Sequence, residues 1–149
     1  QVLWLGRSQG TPLRMPARQP FNPVSLLRLA LATDPRGRPD AAACEAVFRH
    51  VWESGEEPLD PDRLAALERR LAPQLDPEGP EVRALLRANT AEAIARQVFG
   101  VPAFEVDGRL FWGLDSLPML RAYLEGDPWF AGPDWGSVTR LPWGLPRER

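Results

Sequence analysis

Few side chains in this sequence of 149 residues have the reactivity that a catalytic or metal site needs. Its one cysteine, Cys44, lies on or near the apolar face of a predicted helix and has no partner for a Cys-x-x-Cys redox centre. Its one histidine, His50, has no second histidine or cysteine and no suitably spaced carboxylate with which to bind a metal. We therefore predict that Cys44 is an inert packed thiol and that His50 is structural or exposed.

The acidic residues near position 60 also lack the spacing of a site. Glu56, Glu57, Asp60 and Asp62 do not follow the ligand pattern of a calcium-binding loop, and they precede a run with helical periodicity. We interpret them as a solvated loop and a helix start. The sequence contains neither a glycine-rich phosphate-binding loop nor a nucleophile elbow.

Further polar and aromatic side chains are candidates for ligand binding. Asn22 precedes Pro23 at a helix start, so it either caps that helix or faces a cleft, and both interpretations stay open. Thr90 lies within a predicted helix, where a threonine more often bonds its own backbone than a ligand. Phe111 and Trp112 alternate on a predicted strand, so one belongs to the core and the other is free to form the floor of an aromatic substrate pocket. For either residue taken alone, a place in the core is the better interpretation.

Asp115 lies where a predicted strand gives way to a helix. Gly113 ends the strand, and Asp115 or Ser116 is a suitable N-cap for the helix that follows. From these residues alone the capping role is the better interpretation. The same junction also suits a ligand with a carboxylate for the free N–H groups and an ammonium for the Asp115 side chain.

The most informative stretch is residues 90–124, which contains a helix, a Val-Pro turn, a hairpin and a second helix. Residues 104–106 and 110–112 flank Asp107-Gly108, and a two-residue Asp-Gly loop between apolar-rich runs predicts a type I′ β-hairpin. Leucines 117, 120 and 124 recur at helical spacing, so we predict that the hairpin leads directly into a packed helix.

Upstream of the hairpin the sequence predicts a short strand and a set of helices. Residues 2–5 form the end of a helix that stops at Gly10, and the alternation across residues 11–15 predicts a strand. Helices then start near Asn22-Pro23, Pro39-Asp40, Asp60-Pro61 and Pro80-Glu81. A strand, helices, a hairpin and a helix fit a thioredoxin-like sheet with an inserted helical subdomain, although other α/β topologies stay open.

Periodicity also predicts which side of each helix is buried. Arg63, Glu68, Arg69 and Arg70 are expected to face solvent. The residues expected to face the core are Leu26, Leu27, Ala30, Leu31, Ala43, Val47, Phe48, Val51, Trp52, Leu64, Leu67, Leu71, Val82, Leu85, Leu86, Ala93 and Ile94.

After Gly126 the sequence alternates turn residues with tryptophans at positions 129, 135 and 143. Such a segment does not favour a regular helix, yet each indole is costly to leave in water. We predict an irregular arm that packs on its own domain or on a dimer partner.

Composition narrows the functional class. Eighteen Lys and Arg residues against 20 Asp and Glu give a net charge of -2, and no run of like charge indicates a nucleic-acid or membrane surface. No apolar run is long enough to span a bilayer. A single cysteine without a signal-like segment favours a reducing cytoplasm.

Several motifs together resemble the 2-hydroxychromene-2-carboxylate isomerases, which are relatives of kappa-class glutathione transferases and DsbA-like thioredoxin-fold proteins. The resemblance runs from about Gly10 to Leu124, and the segment from Phe99 to Gly113 is its most specific part. The matching residues are Thr90, Glu92, Ala93, Val98, Phe99, Gly100, Val101, Pro102, Phe104, Val106, Asp107, Gly108, Leu110, Phe111, Trp112, Gly113 and Asp115, with Pro12–Pro16, Pro20–Pro23 and Arg28 upstream.

This resemblance implies an α/β fold, a thioredoxin-like sheet with an inserted all-helical subdomain. Residues 1–17 and 98–128 would form the thioredoxin-like unit, residues 22–97 the helical insertion, and residues 129–149 the arm. It further implies that an N-terminal strand and most of the first helix precede residue 1.

The resemblance also implies a glutathione site. The Val101–Pro102 bond would be cis, against the roughly 5–6% of X-Pro bonds that are cis in folded proteins, and the Val101 main chain would pair with glutathione as with a strand. Leu114 and Asp115 would bind its γ-glutamyl end, with Asn22 and Trp112 as weaker pocket candidates. This chain has Leu114 where kappa-class enzymes often have Ser, and Ser116 where the family commonly has Arg, which puts side-chain contacts there in question.

The function implied is a glutathione-dependent isomerase or transferase acting on a small aromatic-derived molecule, with a homodimer as a further expectation. The family's catalytic serine has no counterpart in residues 1–149. Two alternatives are a non-catalytic thioredoxin-scaffold binding module and a DsbA-like disulfide oxidoreductase, which would need a Cys pair upstream of residue 1.

Overall fold

A computed structural model of the chain describes residues 1–137. The chain divides into two compact units, Gln1–Glu92 and Ala93–Arg149. The first contains α1 (Val2–Ser8), α2 (Val24–Leu31), α3 (Ala41–Trp52), α4 (Pro61–Leu71) and most of α5 (Pro80–Ala95). The second contains β1 (Ala103–Val106), β2 (Arg109–Trp112), α6 (Leu117–Leu124) and short 3₁₀ helices at Leu114–Ser116 and Pro128–Ala131. No helix in the described part of the chain is long and apolar enough to cross a membrane.

The predicted helix starts are confirmed, and their caps explain them. An Asp40 carboxylate oxygen accepts the Ala43 N–H at 2.8 Å and so begins α3. Asp60 accepts the N–H groups of Asp62 and Arg63 at 3.1 and 3.0 Å, with Pro61 as the first helical residue. Each such cap stabilises a helix by about 1 kcal/mol. Gly10, at φ +70, follows the end of α1 as predicted.

Two apolar clusters hold the first unit together. One joins α2, α3 and α4, and a smaller one lies around Val82 of α5. Their buried members are Leu26, Leu29, Ala46, Val51 and Leu67 in the first, and Leu31, Ala32 and Val82 in the second. The predictions for Leu27, Phe48 and Ile94 are wrong, because their side chains are 47%, 63% and 70% exposed.

Residues 11–15 do not form the predicted strand. The Arg14 N–H donates to the Trp52 carbonyl at 2.6 Å, and the Ala17 N–H donates to the Glu56 carbonyl at 3.1 Å. The main chain here is therefore bonded to the end of α3 and to the loop after it. Alternation of side chains is not enough to make a strand, because a strand also needs a neighbouring strand, and residues 11–15 pair with none in the described part of the chain.

Arg63 is a second correction, because its side chain points inward and is only 21% exposed. Its guanidinium donates to the carbonyls of Glu57 and His50 at 2.6 and 2.9 Å, and to the Ser54 hydroxyl at 2.8 Å. It also pairs with the Glu56 carboxylate at 2.8 Å. These hydrogen bonds and this ion pair hold the loop between α3 and α4 against α4.

The hairpin of the second unit is confirmed. Strands β1 and β2 are antiparallel, with Phe104 opposite Phe111 and Val106 opposite Arg109. Both turn residues have positive φ, 51° at Asp107 and 74° at Gly108, as a type I′ turn requires.

An aromatic cluster covers one face of this hairpin. Phe111 is fully buried, and its ring centroid lies 5.5 Å from Tyr123, 6.4 Å from Phe130 and 5.7 Å from Trp135. Trp129 packs edge-on against Phe130 at 5.0 Å. The described part of the arm therefore packs on its own unit, as predicted, while Trp143 lies outside the described residues.

Helix α6 is less packed than its leucine spacing predicted. Leu117 is 38% exposed and Leu124 is 66% exposed. Tyr123 instead supplies the contact with the aromatic cluster, through Phe111 and Phe130. A helical apolar period shows that a face exists, but not which residues of that face meet a neighbour.

Candidate functional site

The hydrogen-bond pattern of the hairpin determines which main-chain groups of β1 are free. In a two-residue I′ hairpin the residues that flank the turn, Val106 and Arg109, form a hydrogen-bonded pair, and every second pair after them does the same. This alternation reaches Pro102 and Gly113, where the Gly113 N–H donates to the Pro102 carbonyl at 2.9 Å. The N–H and C=O groups of Ala103 and Glu105 therefore point away from β2, and no other strand in the described part of the chain pairs with that edge. The main-chain groups of Val101, which precedes β1, form no hydrogen bond with the described residues.

The two predicted ligand-binding segments lie side by side. Val101 precedes Pro102 and Leu114 follows Gly113, so each stands one residue beyond the same hydrogen bond. The side chains of Val101 and Leu114 are 86% and 57% exposed, so the other described residues leave this corner of the hairpin open to solvent. The Val101–Pro102 peptide bond is cis.

Asp115 does not cap the following helix. Neither its carboxylate nor the Ser116 hydroxyl accepts a helix N–H, and the Ser116 hydroxyl instead donates to the Gly113 carbonyl at 2.8 Å. Within residues 1–137 the exposed Asp115 carboxylate has no hydrogen-bond or ion-pair partner. The capping interpretation that the residues favoured is therefore wrong in this structure, and the carboxylate is available to a ligand.

Gly113 explains where that carboxylate lies. Its φ of +91 is in the left-handed region that favours glycine. A Cβ atom at this position would collide with Oδ1 of Asp115. The positive φ therefore favours glycine where the chain turns out of β2, and any other residue here would displace the Asp115 carboxylate from its position.

Trp112 lies on the opposite face of the hairpin from Phe111. Its side chain is 51% exposed, and its ring centroid is 5.0 Å from that of Phe99. Its indole also lies against Gly100, where a Cβ atom would collide with Nε1 and stand 3.1 Å from Cε2. The predicted division of Phe111 and Trp112 between core and surface is confirmed. Phe99 and Gly100 were not among the predicted site residues, although they directly precede Val101.

The other candidates have local structural roles. Asn22, in the first unit, accepts the N–H of Val24, the first residue of α2, at 3.1 Å, while Pro23 holds the N-cap position. Thr90 donates to the Leu86 carbonyl at 2.8 Å, and His50 Nε2 donates to the Pro58 carbonyl at 2.8 Å. Cys44 is half-buried. No group of three or more His, Cys, Asp or Glu residues in the described part could hold a metal ion.

The deciding comparison is with protein families. Residues 3–125 match the family described as the DSBA-like thioredoxin domain. The chain belongs to this family. The predicted thioredoxin-like fold with an inserted helical subdomain is thereby confirmed, whereas the predicted grouping of residues 1–17 with 98–128 stays a prediction.

The chain is also similar to two proteins that are named as isomerases. The chain is 30% identical over 95 residues to a 2-hydroxychromene-2-carboxylate isomerase of Sphingobium xenophagum, and the match covers 60% of this chain and 49% of that protein. The chain thus spans about half the length of this curated relative. A solved structure of a 2-hydroxychromene-2-carboxylate isomerase has the same fold, with a TM-score of 0.67 and 23% identity, covering 90% of this chain and 66% of the other.

Proposed function

We propose that this protein binds glutathione and uses it to isomerise a small aromatic-derived molecule. The observation that carries the proposal is the exposed corner where the unpaired Val101 main chain lies beside Leu114 and Asp115. The isomerase named among the similar proteins supports the reaction class.

The corner offers a partner for each polar end of the tripeptide. The unpaired N–H and C=O groups of Val101 suit a peptide backbone that pairs as an added strand. The N–H groups of Leu114 and Asp115 have no acceptor among the described residues and suit a carboxylate, while the unpaired Asp115 carboxylate suits an ammonium group. The residues present therefore fit the group that the resemblance implies.

The protein's part in this proposal is binding and orientation. When bound, glutathione would supply a thiolate that adds to an unsaturated carbon of the substrate and leaves again after rotation about the former double bond. The Val101 main chain would fix the peptide along the edge of β1, and Asp115 would fix its amino end. Positioning of this kind lowers the entropic part of the barrier.

Calorimetric titration with glutathione tests the proposal. Asp115→Ala should weaken binding by about 10- to 150-fold, which corresponds to one charge-assisted hydrogen bond of about 1.5–3 kcal/mol. Glu125→Ala, which removes the same charge just beyond the other end of α6, is the matched control and should bind as the wild type does. Equal binding by both variants would remove Asp115 from the site, and a wild type that does not bind glutathione would refute the proposal.

A further inference from the structure

We infer that the exposed indole of Trp112, held in place by Gly100 and Phe99, is the surface on which the aromatic ring of the substrate stacks beside the bound thiol. This inference rests on the proposed function, because it takes the ligand at Val101 as its reference point. It assigns a specificity role to Trp112 and positioning roles to Gly100 and Phe99.

The pairing of the strands separates two aromatic residues that are adjacent in sequence. Cross-strand partners share a face, so Trp112 lies on the side of Ala103 while Phe111 lies on the side of Phe104. Phe111 is fully buried in the aromatic cluster, whereas Trp112 is 51% exposed. Ala103, which lies opposite Trp112 on the neighbouring strand, has a side chain too small to cover the indole. Trp112 therefore presents a large apolar surface that is not part of the aromatic cluster.

Gly100 determines how close this surface lies to the proposed thiol site. Because a Cβ atom at residue 100 would overlap Nε1 of Trp112, glycine alone lets the indole rest directly on the main chain there. Val101 is the next residue, and consecutive Cα atoms are about 3.8 Å apart. The indole thus lies about one residue from the main-chain groups proposed to pair with glutathione.

Phe99 holds the indole from a second side and extends the apolar surface. The two rings are tilted by 51° at a centroid distance of 5.0 Å, and Phe99 is itself 74% exposed. A surface made of two aromatic rings suits a planar aromatic compound better than a sugar or a phosphate.

The test uses 2-naphthoate, a planar aromatic carboxylate that cannot isomerise, so binding is measured without turnover. Calorimetry should show that Trp112→Ala weakens naphthoate binding about three- to tenfold, the range expected for one lost aromatic contact. Gly100→Ala should also weaken naphthoate binding, because the added Cβ atom displaces the indole, although the variant retains Trp112. Trp4→Ala, which removes a 68% exposed tryptophan from α1, should bind as the wild type does.

Titration of the same variants with glutathione separates the two proposals. If glutathione binds to the wild type and to Trp112→Ala alike while naphthoate binding falls only in the variant, both proposals stand. If Trp112→Ala or Gly100→Ala binds naphthoate as tightly as the wild type, or the wild type does not bind it, the aromatic surface is overturned and the glutathione site is unaffected. If naphthoate binding depends on Trp112 but glutathione does not bind, the proposed cofactor fails and the aromatic surface stands.

Discussion

Replacing Arg63 by methionine should destabilise the first unit more than the loss of a solvent-facing arginine would, although helical periodicity predicted that Arg63 faces solvent. Methionine keeps an unbranched apolar stem but removes the donors that reach Glu57, His50 and Ser54. Hydrogen bonds from a charged donor contribute about 1.5–3 kcal/mol each, but bonds from one guanidinium are not additive. Because the side chain is 21% exposed and water replaces part of what is lost, we expect a net loss of about 2–4 kcal/mol.

Thermal unfolding followed by far-UV circular dichroism measures this effect. At about 2–4 °C per kcal/mol for the cooperative unfolding of a whole chain of 149 residues, the loss corresponds to a fall in Tm of about 4–16 °C. Arg69→Met, on the exposed side of the same helix, is the control and should change Tm little. Arg63→Lys should recover only part of the loss, because an ammonium group lacks the planar fork that reaches several acceptors at once. If Arg63→Met and Arg69→Met melt together, the inward bonds contribute nothing and the reasoning is wrong.

Two further predictions concern the second unit. Tyr123, the single tyrosine, donates to Asp107 at 2.8 Å, and this hydrogen bond to a carboxylate raises its pKa above 10.0. Because the folded pKa is the higher one, the stabilisation is complete below the unfolded pKa and is lost as pH rises through the folded pKa. Absorbance titration should show a lower phenol pKa in Asp107→Asn, and an unchanged value would contradict this cause. Gly113→Ala should weaken glutathione binding and lower the free energy of unfolding by about 1–3 kcal/mol. The control is Gly126→Ala, at φ +83 with open space around it, which should impose backbone strain without affecting glutathione binding. Equal effects of the two variants on binding would show that displacement of Asp115 is unimportant.

Local chemistry made several elements predictable from sequence. Asp60 before Pro61 satisfies free N–H groups at a helix start without any help from the rest of the fold. Asp107 and Gly108 both adopt positive φ, which only a few residue types do at low conformational energy. This pair of residues therefore determines the turn and the register of the hairpin. The alternation of Phe111 and Trp112 likewise follows from the strand itself.

The sequence by itself thus determined where α2 to α5 begin and where the hairpin turns, since caps and turns depend on neighbours in the chain. Only the tertiary structure decided that Arg63 points inward, that residues 11–15 bond to α3 rather than to a strand, and that Asp115 is unpaired. Each of these outcomes depends on which distant group occupies the remaining space, and the spacing of residues along one element does not contain that information.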